Sequence, residues 1–492
     1  MSARDLTGAH SSREFPSIRL ADLARLAVRL AAGAARTRRS HDAGAAMRAW
    51  YQASVQRTGS ENLMLRLGVK RLLVVTGREM SHHVSAQTPC AHGYGAGPTK
   101  VRAMSFLAPK ALTVADGERW QRLREFNESV LAAASTTPHA EDPAALSRDA
   151  GDSAAQEQFL VGAVRDAFGG PVSDIADVRR CMRETMRTVV FGPSGIETRL
   201  LDDLEVLMRH VRSPVRRVLL GWCQRGRRRR FYAALRKRWG AGPAAGSPGL
   251  IDRAMVAAAS EKFGAYGEDD LLQQVPHWMF TFTGSGTDLL VRTLGVLGAR
   301  DDAYERVRAE MIEHDVTTDA AAVAKMEYLT ACLLEVCRLY PPVTRTFMSV
   351  GRDDEVEGCR VPAGSELLHC FTEHHRDTTA DPTADDFCPE RWLGAGSAAG
   401  TTGAGHGAAA VANVYSSLFL GGARTCPGQD LILLVCKAAI STLINRGRIR
   451  VSGAQARDLV RSAALARDPM PRSFPAAGLR YEFDADAQDG GS

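Results

Sequence analysis

The chain has 492 residues, 45% of them hydrophobic and 24% charged, with a net charge of +6. That composition is ample for a packed core and excludes an intrinsically disordered chain. The modest charge, gathered into arginine runs at 36–39 and 225–230, argues against an evenly basic nucleic-acid surface.

The predicted elements run as follows. Residues 1–59 read as an N-terminal extension with the first helices. Residues 1–16 are polar, and the apolar run at 20–34 is broken by Asp22, Arg25 and Arg29, so it falls short of the ~20 apolar residues a membrane span needs. A β-prone run at 71–75 is followed by a loop or linker at 132–156. Apolar steps of three and four predict helices over 175–190 and 200–211. Behind the second arginine run, Phe231, Tyr232, Leu235 and Trp239 keep near-helical spacing, which makes the arginines a solvated helix face. After a linker at 240–248, helices are predicted over 271–297, 303–313 and 325–339. Strand-like runs at 346–350 and 365–369 flank turns at Glu357-Gly358 and Pro362-Ala-Gly364. The Gly-, Ala-, Ser- and Thr-rich segment 394–412 reads as a flexible insertion, an apolar helix-like run covers 431–443, and 486–492 form a tail. No internal repeat is present.

Ten cysteines (90, 181, 223, 332, 337, 359, 370, 388, 426 and 436) show no framework spacing, and no secretory signal precedes them. The expectation is a reducing cytosol and a cytoplasmic protein. The His82-His83 pair finds no third ligand with convincing spacing for a metal.

Cys426 differs from the others by its setting, Phe419-Leu-Gly-Gly-Ala-Arg-Thr-Cys-Pro-Gly428. A thiolate just before a helix faces unpaired N–H groups and the positive end of the macrodipole, both of which lower its pKa. Gly421, Gly422 and Gly428 permit close backbone approach to a flat cofactor, and Arg424 supplies a cation for an acidic group on it. The competing reading is a buried small apolar residue.

Phe419, Gly422, Arg424, Cys426 and Gly428 occupy every fixed position of F-x-x-G-x-R-x-C-x-G, and in this the chain resembles the cytochrome P450 family. The resemblance implies a mainly α fold with a small β-rich subdomain over residues 60–485. It also implies haem b, with Cys426 as the axial ligand of its iron. Three further signatures follow the family's order. Trp120-Gln-Arg-Leu-Arg124 resembles the helix whose Trp120 and Arg124 hold a haem propionate. Arg345, seven residues after Arg338, matches a second propionate-binding arginine, and Arg424 a third. Glu335-Val-Cys-Arg338 and Arg391 of Pro389-Glu390-Arg391-Trp392 resemble a buried charge network with a folding role, and His375 of His375-Arg376-Asp377 a structural turn.

In Phe282-Thr-Gly-Ser-Gly-Thr-Asp288 the resemblance breaks. The family's central helix carries an acid and then a threonine that deliver protons during oxygen activation. Here Thr287 keeps the threonine position, Gly286 replaces the acid, and Asp288 follows, turned by ~100° on the helix. Three proton routes stay open: water held by Thr287 and Ser285, a relay from Asp288, or substrate groups. The implied activity is a haem-thiolate monooxygenase of a soluble bacterial type. It would insert one atom of O2 into a mainly hydrophobic small molecule, in bacterial secondary metabolism. NAD(P)H electrons would arrive through a separate ferredoxin or flavodoxin and its reductase. The alternatives are an atypical member that couples, dehydrates, rearranges or uses peroxide, and a non-catalytic haem sensor. Expected substrate-pocket residues are Met104, Phe106, Phe280, Val343, Phe347, Met470 and Phe474.

Overall fold

The computed structural model describes residues 13–18, 53–67, 70–90, 92–131, 143–192, 198–212, 221–244, 247–264, 266–316, 319–370, 374–393, 418–453, 456–463, 469–471, 473–476 and 478–484. The apolar run at 20–34, the arginines at 36–39, the insertion at 394–412 and the tail at 486–492 lie outside the described residues.

Helices dominate. In chain order they are α1 (Arg78–Ala86), α2 (Pro98–Met104), α3 (Gly117–Leu131), α4 (Pro143–Phe168), α5 (Ile175–Phe191), α6 (Thr198–Arg212), α7 (Arg225–Gly240) and α8 (Leu250–Ala258). They continue with α9 (Glu268–Leu272), α10 (Gln274–Thr281), α11 (Thr287–Leu297), α12 (Asp301–Glu313), α13 (Ala320–Ala324), α14 (Glu327–Leu339), α15 (Gln429–Ile444) and α16 (Ala456–Ala463). Their apolar faces meet in one large core, and the most buried helix, α14, hides every residue from Leu333 to Leu339.

The helix boundaries follow local chemistry. The side chain of Asp174 caps α5 by accepting the Asp177 N–H at 2.9 Å, and the helix stops at Gly192, whose φ of 70° suits glycine. The predicted loop at 132–156 is corrected in its second half. α4 begins at Pro143, a residue whose missing N–H is harmless in a first helical turn, and alanines carry the helix through Gly151. The apolar run predicted as one helix over 271–297 is divided: α9 ends at Leu272, α10 starts at Gln274, and a π-helical segment at Phe282–Gly286 joins α10 to α11.

The β part is small. A six-stranded sheet runs β2 (Ser17–Ile18), β3 (Asn62–Leu67), β4 (Lys70–Val75), β9 (Glu366–Cys370), β6 (Arg345–Val350), β5 (Tyr94–Ala96). A second sheet orders β1 (Arg13–Glu14), β8 (Cys359–Val361) and β7 (Asp354–Val356), and β10 (Arg448–Ser452) pairs with β11 (Arg480–Asp484). β7 and β8 turn through Glu357 and Gly358, with φ of 53° and 70°, the twist a tight hairpin requires. Residues 13–18 lie inside both larger sheets, with Arg13 opposite Cys359 and Ser17 opposite Met64. The body of the fold therefore reaches back before residue 60.

Candidate active site

The cysteine loop is tightly wound. Phe419 and Leu420 take φ of 51° and 76°, left-handed values that cost a non-glycine residue roughly 1–2 kcal/mol each. The Cys426 N–H holds the bend by donating to the Phe419 carbonyl at 2.9 Å. Gly422, at φ 55°, packs directly against the Ser85 carbonyl of α1, so a β-carbon there has no room. Close packing against α1 is thus one reason this position needs glycine. Gly428 precedes α15 and lies on the cavity wall.

Burial pushes the Cys426 thiol above its ordinary pKa, while the Gly428 N–H and the Arg124 cation pull the other way. The helix-end effect expected from sequence is present but smaller than desolvation. A thiolate at this point therefore calls for a cation directly on the sulfur, which is the demand a metal ion meets.

Cys426 opens onto a cavity of about 820 Å³, large for one small molecule. α10, the π segment and α11 form one wall, and the cysteine loop with Ile432 forms the facing one. Phe419, Trp120, Arg124, Arg345 and Arg424 all reach it. Arg124 donates to the Thr425 carbonyl, pairs with Glu128 at 2.5 Å, and thereby locks α3 to the loop. Arg424 donates to the Tyr94 carbonyl, but its Nε is buried without a partner. Burial lowers that guanidinium to about 10, with the Asp116 carboxylate acting weakly against it. Arg345, first residue of β6, is exposed at the rim. Three guanidiniums, an indole and one thiol on the wall of a single roomy, mainly apolar cavity fit a flat dianionic macrocycle held through sulfur.

The facing helix departs from expectation. Thr287 is 1% exposed, does not line the cavity, and its hydroxyl donates to the Phe282 carbonyl at 3.4 Å. Asp288 is not on the cavity wall and pairs with Arg292 at 3.6 Å. The helical step from 287 to 288 rotates it off the wall. Ser285 does line the cavity, with its hydroxyl donated to the Thr281 carbonyl at 3.0 Å. Gly286 lines it too, and a β-carbon there would meet Ile432 Cδ1 at 2.5 Å. The room an acid would need is already filled from α15.

Beneath the loop lies the charge network. Glu335 and Arg338 are fully buried and bidentate, with Nε–Oε2 and Nη2–Oε1 both 2.8 Å. Glu335 also accepts from the Cys388 N–H at 2.9 Å, Arg391 Nε at 3.0 Å and Trp392 Nε1 at 2.9 Å. Arg338 donates onward to the His375, Ala384 and Asp386 carbonyls. His375 is buried beside them, and His83 pairs with Asp354 at 2.7 Å.

Of the expected pocket residues, Met104, Phe280, Val343 and Phe347 line the cavity. Phe106 instead stacks on His210, Met470 lies in the core, and Phe474 packs against Tyr340 and the bare face of Gly295. Sequence reasoning missed Lys100, His277 and Ile432, all on the wall. A signal for His277 existed: it falls three, four and seven residues before Phe280, Thr281 and Gly284, hence on one helical face with them.

The comparisons with known proteins follow this geometry. Residues 250–474 match the family model described as Cytochrome P450. This chain is 30% identical over 189 residues to cytochrome P450 734A6 of Oryza sativa subsp. japonica, covering 37% of this chain and 33% of that one. It is 27% identical over 207 residues to a cyclooctat-9-en-7-ol 5-monooxygenase of Streptomyces melanosporofaciens, covering 41% and 42%. The matches thus span well under half the length of these relatives. Among solved structures, retinoic acid-bound cyanobacterial CYP120A1 superposes with a TM-score of 0.65 at 22% identity, covering 88% of this chain and 94% of that one. The segment that matches the cytochrome P450 family model carries Glu335, Arg338, Arg345, Arg391, Arg424 and Cys426 in the arrangement described above, and the chain as a whole has the cytochrome P450 fold.

Proposed function

We propose that this protein is a haem-thiolate monooxygenase acting on a mainly hydrophobic small molecule. The observation that carries the reading is Cys426 opening onto an apolar cavity rimmed by Arg124, Arg345 and Arg424. Cys426 would ligate haem iron through sulfur, and Trp120 and the three arginines would hold the two acid groups of haem b. Bound there, haem supplies the two-electron activation of O2 that inserts one oxygen atom into a substrate bond.

The residues divide the remaining work. Met104, Phe280, Val343, Phe347 and Leu289 exclude water and orient an apolar body. The Ser285 hydroxyl gives its proton to the Thr281 carbonyl and keeps its oxygen free to accept from a water on the wall. Thr287 stands one layer behind, its hydroxyl on the Phe282 carbonyl, and reaches the cavity only by rotating off that bond. Electrons come from NAD(P)H through a separate ferredoxin or flavodoxin with its reductase. A bacterial cytoplasm and secondary metabolism suit the Streptomyces relative. Among the described residues no helix is long and apolar enough to cross a membrane.

The test is spectroscopic first. The reduced, carbon monoxide-treated protein should show the thiolate-ligated haem band, and Cys426→His should abolish it. Retention of the band in that variant refutes the ligand assignment. Product formation with NAD(P)H and a ferredoxin system then separates an enzyme from a sensor.

A second reading has its own observation, the Ile432 side chain filling the space beside Gly286. With no acid on the wall, the enzyme is suited to peroxide-driven oxidation, coupling or rearrangement. Turnover with peroxide faster than with O2 and reductase supports it, and the reverse order supports monooxygenation.

A further inference from the structure

Most polar groups on the cavity wall already have protein partners. Thr99 donates to Glu366, Thr281 and Ser285 donate to helix carbonyls, and Asn127 bonds the Leu123 carbonyl and Trp278. Two ionisable side chains outside the set given to the haem acids differ. Lys100 of α2 and His277 of α10 line the same cavity, and among the described residues neither side chain makes a hydrogen bond or ion pair. Both sit deep in the protein, and the cavity itself is what leaves them half-exposed.

We propose that Lys100 and His277 form a subsite for an anionic head group, of carboxylate chemistry, on an otherwise hydrophobic substrate. The proposal rests on the haem-thiolate reading and adds the substrate class.

Charge argues for an anion. Burial, followed by the like charge of Arg424, pulls Lys100 down to about 8, and only Asp116 opposes them. A desolvated cation in such a place gains most from an anion that arrives with the ligand. The two acid groups of haem b would have Arg124, Arg345, Arg424 and Trp120 to hold them, which leaves the lysine charge for another anion.

His277 complements the lysine. Burial and the Lys100 charge lower it to about 4, so its ring is neutral. Its Nδ1 is buried with no partner. An unpaired buried acceptor is tolerated better than an unpaired N–H, which puts the proton on Nε2, the nitrogen left to face the cavity. The pair thus offers an ammonium and an N–H donor, the two bonds a carboxylate accepts. His277 lies eight residues before Ser285, about 12 Å along the helix axis. A head group held at His277 places the substrate's apolar body along Phe280 towards Ser285.

The test uses the haem-loaded full chain and two matched probe pairs: dodecanoate with its methyl ester, and naphthoate with its methyl ester. Binding is read from the haem spin-state spectrum and, independently of haem, by calorimetry. Wild type should bind at least one carboxylate about tenfold more tightly than its ester, equal to about 1.4 kcal/mol. Lys100→Met should weaken that carboxylate about tenfold or more, and His277→Leu several-fold, while the esters, haem content and the carbon monoxide spectrum stay within twofold of wild type. No preference for either carboxylate, binding of neither included, overturns the proposal. So does a Lys100→Met protein that loses haem or weakens the esters equally, which would give Lys100 to the cofactor acids. Failure of the haem-thiolate reading appears separately, as a wild-type protein without the thiolate band, and calorimetry still decides the carboxylate preference.

Discussion

Replacing Glu335 by glutamine tests whether the buried network holds the cysteine loop in place. Glu335 receives five hydrogen bonds, two from Arg338, one each from Arg391 and Trp392, and one from the Cys388 N–H. Glutamine keeps the shape but removes the charge, and its amide turns a donor toward groups that are themselves donors. Arg338, fully buried, then loses the carboxylate that balances its charge. Breaking a buried ion pair in this way costs roughly 3–5 kcal/mol, against a total stability on the order of 5–15 kcal/mol. Arg391→Ala should cost less, about 1–3 kcal/mol, because Glu335 keeps four of its donors and Asp381, the other carboxylate paired with Arg391, is partly exposed. The assay is denaturant unfolding followed by far-ultraviolet circular dichroism, with haem retention measured in parallel. Glu335→Gln should lower the midpoint more than Arg391→Ala and release haem at lower denaturant. A Glu335→Gln protein within about 1 kcal/mol of wild type, or more stable than Arg391→Ala, would mean that the Glu335 charge does not hold the loop.

Three further outcomes are expected. Gly286→Ala should cost about 1–3 kcal/mol by forcing its new methyl against Ile432, and Ile432→Ala in the same chain should recover most of that loss in a melting experiment. Asp288→Asn should change stability by no more than ~1 kcal/mol and leave the ratio of product to electrons consumed untouched, because its partner Arg292 lies off the cavity wall. The buried histidines 369, 374 and 375, one cluster among those of the core, are held neutral by burial, His374 down to about 3. Unfolded histidine binds its proton near pH 6.5, so each contributes stability that is complete above that pH and falls by about 1.4 kcal/mol per unit below it, until the folded pKa is reached. Unfolding midpoints measured from pH 7.5 to 4.5 should therefore fall steeply below 6.5, and a flat profile would contradict neutral burial.

The parts of the site legible in sequence are those whose chemistry is local. Cys426, Arg424 and Gly428 lie within five residues, and a helix places Glu335 and Arg338, or Trp120 and Arg124, on one face whatever surrounds them. Helices such as α5, α12 and α14 were equally plain because their apolar period sets their buried face. The first turns of α4 were missed because Gly, Asp and Ser imitate a loop, and helix propensity is decided over longer windows than those residues occupy.

Spacing along single elements was enough to single out Cys426 and its loop, the Glu335–Arg338 pair and the mainly helical fold. Tertiary structure alone decided the distal side. It turned Asp288 out toward Arg292, set Ile432 from a distant helix against Gly286, and brought Lys100 and His277 to one cavity across 177 positions of chain. Helical periodicity fixes which residues share a face, but what that face meets depends on long-range packing, and there the distinctive chemistry of this protein is set.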